Sequence, residues 1–324
     1  MMYLLILGGF VLLVGGAEIM VRGAVVLAEH LGVSPMVIGM TVVAIGTSAP
    51  ELVVTVNATL AGSPGLAVGN IVGSNIANSL LILGVACILM PIVEKPAALK
   101  RDGFMLLGGT LLFIVLSLRG ELDALAGGIL IVGFFVFLSV SYWRESHNPE
   151  LSADHLNEVD DLHGWPKTVF GSVLAVVLGL AGLAFGADLL VRGGTDVARN
   201  FGVSEEVIGL TLFALGTSLP ELAASVIAAL KGHADVGVGN VVGSNLFNLL
   251  GVGGVAASID RIPVLDQLVG FDIWIMLAAT LVLMPVLILG WRISRAAGGV
   301  LLAAYVAYIW IQAYGVGRVF DITG

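Results

Sequence analysis

The sequence predicts an all-α integral membrane protein with ten transmembrane helices, arranged as two inverted-topology repeats of five. Three observations predict it. First, the 324 residues are 58% apolar and only 11% charged, with a mean hydropathy of +1.05. A soluble domain carries about 25% charge, and too little polar surface is present here to cover a soluble fold of this size. Second, the apolar residues fall in continuous runs long enough to cross a bilayer, without the two-residue alternation of a barrel. Third, the chain repeats itself at an offset of 170 residues. The composition excludes disorder, a nucleic-acid binder and an ordinary cytosolic enzyme. The net charge of −9 also argues against phosphate-rich partners.

In chain order, the polar breaks delimit spans near 2–29, 36–60, 70–92, 103–119, 122–143, 168–196, 205–230, 240–259, 269–290 and 297–315. The opening MMYLLILGGFVLLVGGAEIM lacks a basic stretch and a small-residue cleavage site, so it reads as an uncleaved first span. Cys87, in an apolar run, is a buried small hydrophobe and rules out an intramolecular disulfide. The hydrophilic segment 144–167 separates a first five-helix repeat (1–143) from a second (168–324). Its His147, His155 and His163 stand eight residues apart, which fits a solvated linker better than a regulatory metal site. With both termini outside, nine Lys and Arg fall on the cytoplasmic side and five outside, and 144–167 is cytoplasmic. The expected location is therefore the cell membrane, multi-pass.

The offset aligns 39–84 with 209–254 without a gap, and 23 of the 46 positions are identical. It also pairs Glu18 with Asp188, Arg22 with Arg192 and Asp102 with Asp272. An odd number of spans per repeat makes the second copy enter the membrane from the opposite side. That architecture belongs to secondary transporters, whose site lies at mid-membrane between the repeats.

The repeated motifs carry the chemistry. GTSAPE (Gly46–Glu51) and GTSLPE (Gly216–Glu221) fall within the second and seventh spans. Pro50 and Pro220 lack an N–H, so they leave carbonyls near Gly46 and Gly216 without helical partners. In lipid such a break is tolerated only where it lines a polar cavity or packs on protein. Carbonyls, Thr and Ser hydroxyls and one carboxylate make an all-oxygen set that suits hard cations such as Ca²⁺ or Na⁺. Glu51 and Glu221 decide the reading. A mid-membrane carboxylate costs about 2.5–3.5 kcal/mol even on a lenient scale, and no Lys or Arg stands at matching depth in the neighbouring spans. Protonated structural glutamic acids are the bland alternative to a cation or proton site.

The second motif pair is GNIVGSNIAN (Gly69–Asn78) and GNVVGSNLFN (Gly239–Asn248). Ser74 with Asn78, and Ser244 with Asn248, share a helix face at i,i+4 and add neutral oxygens. Gly73 and Gly243 allow close helix approach, and Asn75 and Asn245 are read as interhelical hydrogen-bonding residues. Glu18/Arg22 and Asp188/Arg192 are read as structural i,i+4 ion pairs.

GTSxPE paired with GSNxxN, twice, resembles the two α-repeats of the sodium/calcium exchanger (calcium:cation antiporter) superfamily, in its prokaryotic branch. The resemblance covers essentially the whole chain. It implies that Glu51 and Glu221 are shared Ca²⁺ ligands, assisted by the carbonyls of Thr47 and Thr217. It implies that Na⁺ uses the same glutamates with Ser48, Ser74 and the Ala44 carbonyl on one side. On the other it would use Ser218, Ser244 and the Ala214 carbonyl, with Asn78 and Asn248 completing the centre. Some relatives, including potassium-dependent ones, carry Asp where this chain has Asn248, which argues against potassium dependence here. The resemblance also implies that the first and sixth helices slide across the bundle, and Gly15, Gly16, Gly23, Gly182, Gly186, Gly193 and Gly194 give them small-residue faces. The expected substrates are Ca²⁺ and Na⁺, with H⁺ as the alternative coupling ion. No cofactor, nucleic acid or obligate protein partner is expected besides the lipid bilayer. A cation channel is a further alternative. An enzyme is the weakest, since no HExxH or nucleophile–base pair occurs at membrane depth.

Overall fold

The computed structural model describes residues 2–91, 96–146, 166–201, 214–290 and 292–316. Its helices are α1 (Met2–Leu31), α2 (Pro35–Thr47), α3 (Ala49–Leu60), α4 (Pro64–Leu89), α5 (Pro96–Ser117) and α6 (Ala124–Ser146). The second half contributes α7 (Val169–Asn200), α8 (Ala214–Thr217), α9 (Leu219–Leu230), α10 (Ala234–Ile259), α11 (Leu268–Leu289) and α12 (Arg295–Tyr314). Among the described residues, seven helices are long and apolar enough to cross a membrane, and α2 with α3 is apolar enough to do so as a pair, bent by 44° at the break between them. A two-residue antiparallel pairing joins β1 (Glu121–Leu122) to β2 (Ile262–Pro263).

Burial separates an inner pair, α4 and α10, from a more exposed set that includes α1, α6, α7 and α12. α4 and α10, which carry the GSN motifs, are 78% and 83% buried along their most apolar stretch, against 33% for α1 and α7. α1 and α7 lie against each other antiparallel, held by glycines. A Cβ on Gly9 would come 2.8 Å from the Gly186 carbonyl, and one on Gly186 would come 2.8 Å from that of Gly9. Gly16 and Gly179 face each other in the same way, while Gly23 meets Ser172 and Val176 and Gly193 meets Met2 and Ile6. Any side chain at these positions would force the backbones apart. Gly15, expected on a small-residue sliding face of the first helix, is in open space.

The contacts are reciprocal under the 170-residue offset: Gly9 touches the counterpart of Gly16, and Gly16 touches the counterpart of Gly9. Thr110 and Thr280, themselves one offset apart, meet hydroxyl to hydroxyl at 3.4 Å between α5 and α11. Residues that touch their own counterparts lie where a two-fold relation between the halves would place them.

The linker expectations at His147, His155 and His163 lie outside the described residues. So does Gly209, with the N-terminal part of the seventh expected span.

Candidate functional site

The first motif of each repeat is a helix break. α2 ends at Thr47, Ser48 takes φ −85° and ψ 10°, and α3 resumes at Ala49 with Pro50 in its first turn. There the missing N–H costs nothing. In the second repeat Ser218 takes φ −88° and ψ 1° between α8 and α9, with Pro220 placed the same way. Glu51 and Glu221 therefore stand in the first turn of a half-helix, where the backbone dipole favours negative charge. Both are 1% exposed.

Each glutamate reaches the other repeat. Ser48 Oγ donates to Glu221 Oε1 at 2.7 Å, and the Glu221 carboxyl also faces Thr47. The Glu51 carboxyl faces Thr217, Ser218 and, within electrostatic reach, Glu221. Ser48 N donates to the Ala44 carbonyl at 3.0 Å, while Ala214 opens the short helix α8.

The second motif enters from α4 and α10. Both helices pass from α-helix into a π-helical segment, Ala77–Ile82 in α4 and Phe247–Val252 in α10. Ser74 and Asn78 therefore straddle an α/π junction rather than sharing one regular helix face, and so do Ser244 and Asn248. The wider π turn redirects the asparagines. Such turns recur at functional sites. The segment with Asn78 packs on α9, which carries Glu221, and the segment with Asn248 packs on α3, which carries Glu51.

These groups share an unusual deficit. Among the described residues, eleven buried side-chain polar atoms have no hydrogen-bond partner. Eight of them belong to this set: Oε2 of Glu51 and of Glu221, both amide atoms of Asn78 and of Asn248, and the hydroxyls of Ser218 and Ser244. An unpartnered buried polar atom costs about 1–3 kcal/mol, so these orphans single out the two motif pairs as the candidate site. No ion pair involving Glu51 or Glu221 occurs among the described residues.

Around the breaks is a second layer that the motifs contained but residue chemistry did not single out. Asn70 Nδ2 donates to the Glu51 carbonyl at 3.1 Å and to Thr55 Oγ1 at 2.8 Å. Asn240 Nδ2 donates to the Glu221 carbonyl at 3.4 Å and to Ser225 Oγ at 3.0 Å, and its Oδ1 accepts from Thr47 Oγ1 at 3.1 Å. The signal was present: both asparagines recur at the 170-residue offset, each with a hydroxyl four residues beyond its glutamate. Asn245 makes the expected interhelical bond, donating to Ser79 Oγ at 2.9 Å. Asn75 corrects the expectation, since it donates to its own helix at the Ile71 carbonyl, 2.8 Å away. The expected ion pairs form, Arg22 with Glu18 at 2.7 Å and Arg192 with Asp188 at 2.9 Å. Glu18 takes a further partner in Lys231 at 2.8 Å. Gly243 packs on the Met40 backbone, whereas no described atom lies within 4 Å of a Cβ built on Gly73. Cys87 is buried, as expected.

Residues 1–143 and 154–314 match the sodium/calcium exchanger protein family. The chain is 40% identical over 288 residues to the putative antiporter CaxA of Alkalimonas amylolytica, covering 87% of this chain and 89% of that protein. It is 33% identical over 320 residues to the sodium/calcium exchanger MaX1 of Methanosarcina acetivorans, covering 88% and 90%. Among solved structures it superimposes on the sodium-calcium exchanger NCX_Mj soaked with Na⁺ and Ca²⁺, with a TM-score of 0.81 and 30% identity over 94% of this chain and 95% of that one.

Proposed function

Because the chain belongs to the sodium/calcium exchanger protein family, we propose that it exchanges Ca²⁺ for Na⁺ across the membrane at the Glu51–Glu221 site. One observation carries this reading: two buried carboxylates, surrounded by orphaned neutral oxygens, with no cationic side chain paired to either among the described residues. A carboxylate accepts only, and buried charge is kept when it is paired or coordinates a metal. Two carboxylates balance one Ca²⁺ or two Na⁺. Both loads together would leave excess positive charge in a low-dielectric interior. The ions then compete for one site.

Glu51 and Glu221 serve as the shared Ca²⁺ ligands, with the Thr47 and Thr217 carbonyls. Ser48, Ser74 and the Ala44 carbonyl hold Na⁺ on one side, and Ser218, Ser244 and the Ala214 carbonyl hold it on the other. Asn78 and Asn248 complete the centre. The chain crosses the membrane ten times as two inverted repeats, 1–143 and 168–324, with both termini outside and 144–167 in the cytoplasm. The antiparallel, reciprocal packing of α1 on α7 supports this arrangement, as does the Thr110–Thr280 contact. Access alternates as α1 and α7 slide across the remaining bundle. No cofactor takes part.

The test is Ca²⁺ uptake into proteoliposomes loaded with Na⁺, with pH clamped and K⁺ absent. Uptake that follows the sodium gradient is expected. Uptake that follows an imposed pH gradient and ignores sodium would establish proton coupling instead, and flux that needs no counter-ion would establish a channel.

A further inference from the structure

Asp102 and Asp272 are counterparts under the repeat offset, and both are buried, at 1% and 3% exposure. Asp102 has its charge neutralised by the adjacent Arg101 at 2.6 Å. The counterpart of Arg101 is Phe271, which stacks on Tyr308 with ring centroids 6.5 Å apart. Asp272 has thus lost its arginine. Its Oδ1 accepts from Tyr308 Oη at 3.0 Å and from Gln312 Nε2, and Gln267 donates to Gln312 Oε1 at 2.9 Å. No cation pairs with Asp272 among the described residues.

A buried carboxylate held only by neutral donors needs a reason to be there. The surroundings supply one. Asp272, Tyr308 and Gln312 line a cavity of about 370 Å³ between α4, α11 and α12. Its opposite wall is α4, at Gly69, Gly73 and Ser74. No described atom lies within 4 Å of a Cβ built on either glycine, so this wall is open. A water occupies roughly 30 Å³ of the liquid, so a partly hydrated small cation fits. The cavity brings an unneutralised carboxylate and Ser74 of the ion site onto one space.

We propose that this cavity is an outer cation vestibule in which Asp272 binds a sodium ion before it passes to Ser74. This rests on the sodium-exchange reading above. Charge selects the ion class. One carboxylate among phenol and amide oxygens neutralises one monovalent cation, while a divalent ion would keep a net positive charge in a low-dielectric pocket. Hard oxygen donors exclude softer metals.

Three variants test it. Asp272→Asn keeps the acceptor for Tyr308 and Gln312 and removes the charge. Asp272→Glu keeps the charge. Phe271→Arg restores the arginine that the first repeat carries and neutralises Asp272 without touching it. In sodium-driven Ca²⁺ uptake, Asp272→Asn and Phe271→Arg are expected to raise half-saturating sodium roughly threefold to tenfold, with a smaller effect on maximal rate. Asp272→Glu should raise it less than Asp272→Asn does. A structural role predicts the opposite for Phe271→Arg, because a buried carboxylate that gains a partner is stabilised and sodium dependence does not move; that result overturns the proposal. Equilibrium binding of radioactive sodium to purified protein separates the vestibule from the central site. The Glu51→Gln/Glu221→Gln double variant should retain a weak saturable component that Asp272→Asn removes. No such component, or one indifferent to Asp272→Asn, also overturns it. If instead the double variant still exchanges sodium for calcium, the central-site reading fails, and that failure appears in a different measurement.

Discussion

The two helix breaks share a backbone and differ in their partners. Ser48 and Ser218 have nearly the same dihedral angles, yet Ser48 Oγ donates to Glu221 at 2.7 Å while Ser218 Oγ has no partner. Identical residues in identical local conformations therefore sit in unequal surroundings. A second kind of difference is written in the sequence. Asn245 bonds across to Ser79, whereas Asn75 has Leu249 where Ser79's counterpart would be, and it turns back to Ile71. If access alternates as proposed, the first kind should exchange between the repeats. The second is permanent. Variants can tell the two apart.

The largest effect is expected at the glutamates, where the repeats should behave alike. Glu51→Gln and Glu221→Gln each remove a unit charge from a buried site and should each lower sodium-driven Ca²⁺ uptake by roughly a hundredfold or more. Both proteins should still fold, because the uncharged amide is cheaper to bury than the carboxylate. Full exchange in either variant would refute the site, and a loss confined to one would refute the equivalence of the repeats.

The serines come next. If the Ser48–Glu221 bond marks one state of a cycle, Ser218, which already faces Glu51, must close to a hydrogen bond with it in another. Ser48→Ala and Ser218→Ala should then slow exchange by a similar factor, on the order of tenfold, the usual worth of a hydrogen bond to a charged group. Slow exchange in Ser48→Ala with a normal rate in Ser218→Ala would make the asymmetry fixed. The permanent difference is tested by stability. Asn245→Ala leaves Ser79 without its buried partner and should cost about 1–2 kcal/mol in detergent unfolding. Asn75→Ala should cost less, because it removes only a side-chain bond to a carbonyl of its own helix.

Much of this was legible beforehand because it follows from period and composition. Helix length tracks apolar run length, and the break at Ser48 follows from the N–H that Pro50 lacks. The glutamates stood out because mid-membrane charge is costly whatever surrounds it. What was not legible depends on contacts between distant residues. The π turns at Asn78 and Asn248 have no signature in their own sequence, since ANSLLI and FNLLGV share only the Asn and one Leu in register. The fate of Asn75 depended on which residue stands at position 249, and that matters only once α4 and α10 are packed together. The same holds for Asp272, whose meaning changed with a single neighbour, Phe271.

The smallest expected effect concerns an ion pair between α1 and Lys231, the residue that follows α9. Lys231 Nζ meets Glu18 at 2.8 Å, alongside Arg22. The repeat offset gives Lys231 the counterpart Ala61, and among the described residues Asp188 pairs with Arg192 alone. Lys231 and Glu18 are partly exposed, at 44% and 33%, where an ion pair is worth at most about 1 kcal/mol and is screened by salt. Lys231→Ala should therefore leave unfolding almost unchanged. If α1 slides as proposed, the effect of the variant falls on that motion, because a bond across a moving seam is broken once per cycle. Removing it should shift the exchange rate by roughly twofold or less, more visibly at low ionic strength. Lys231→Arg, which keeps the charge, should retain the original rate. A large stability loss in Lys231→Ala would show that the pair is a fixed strut, and the moving seam would then have to lie elsewhere.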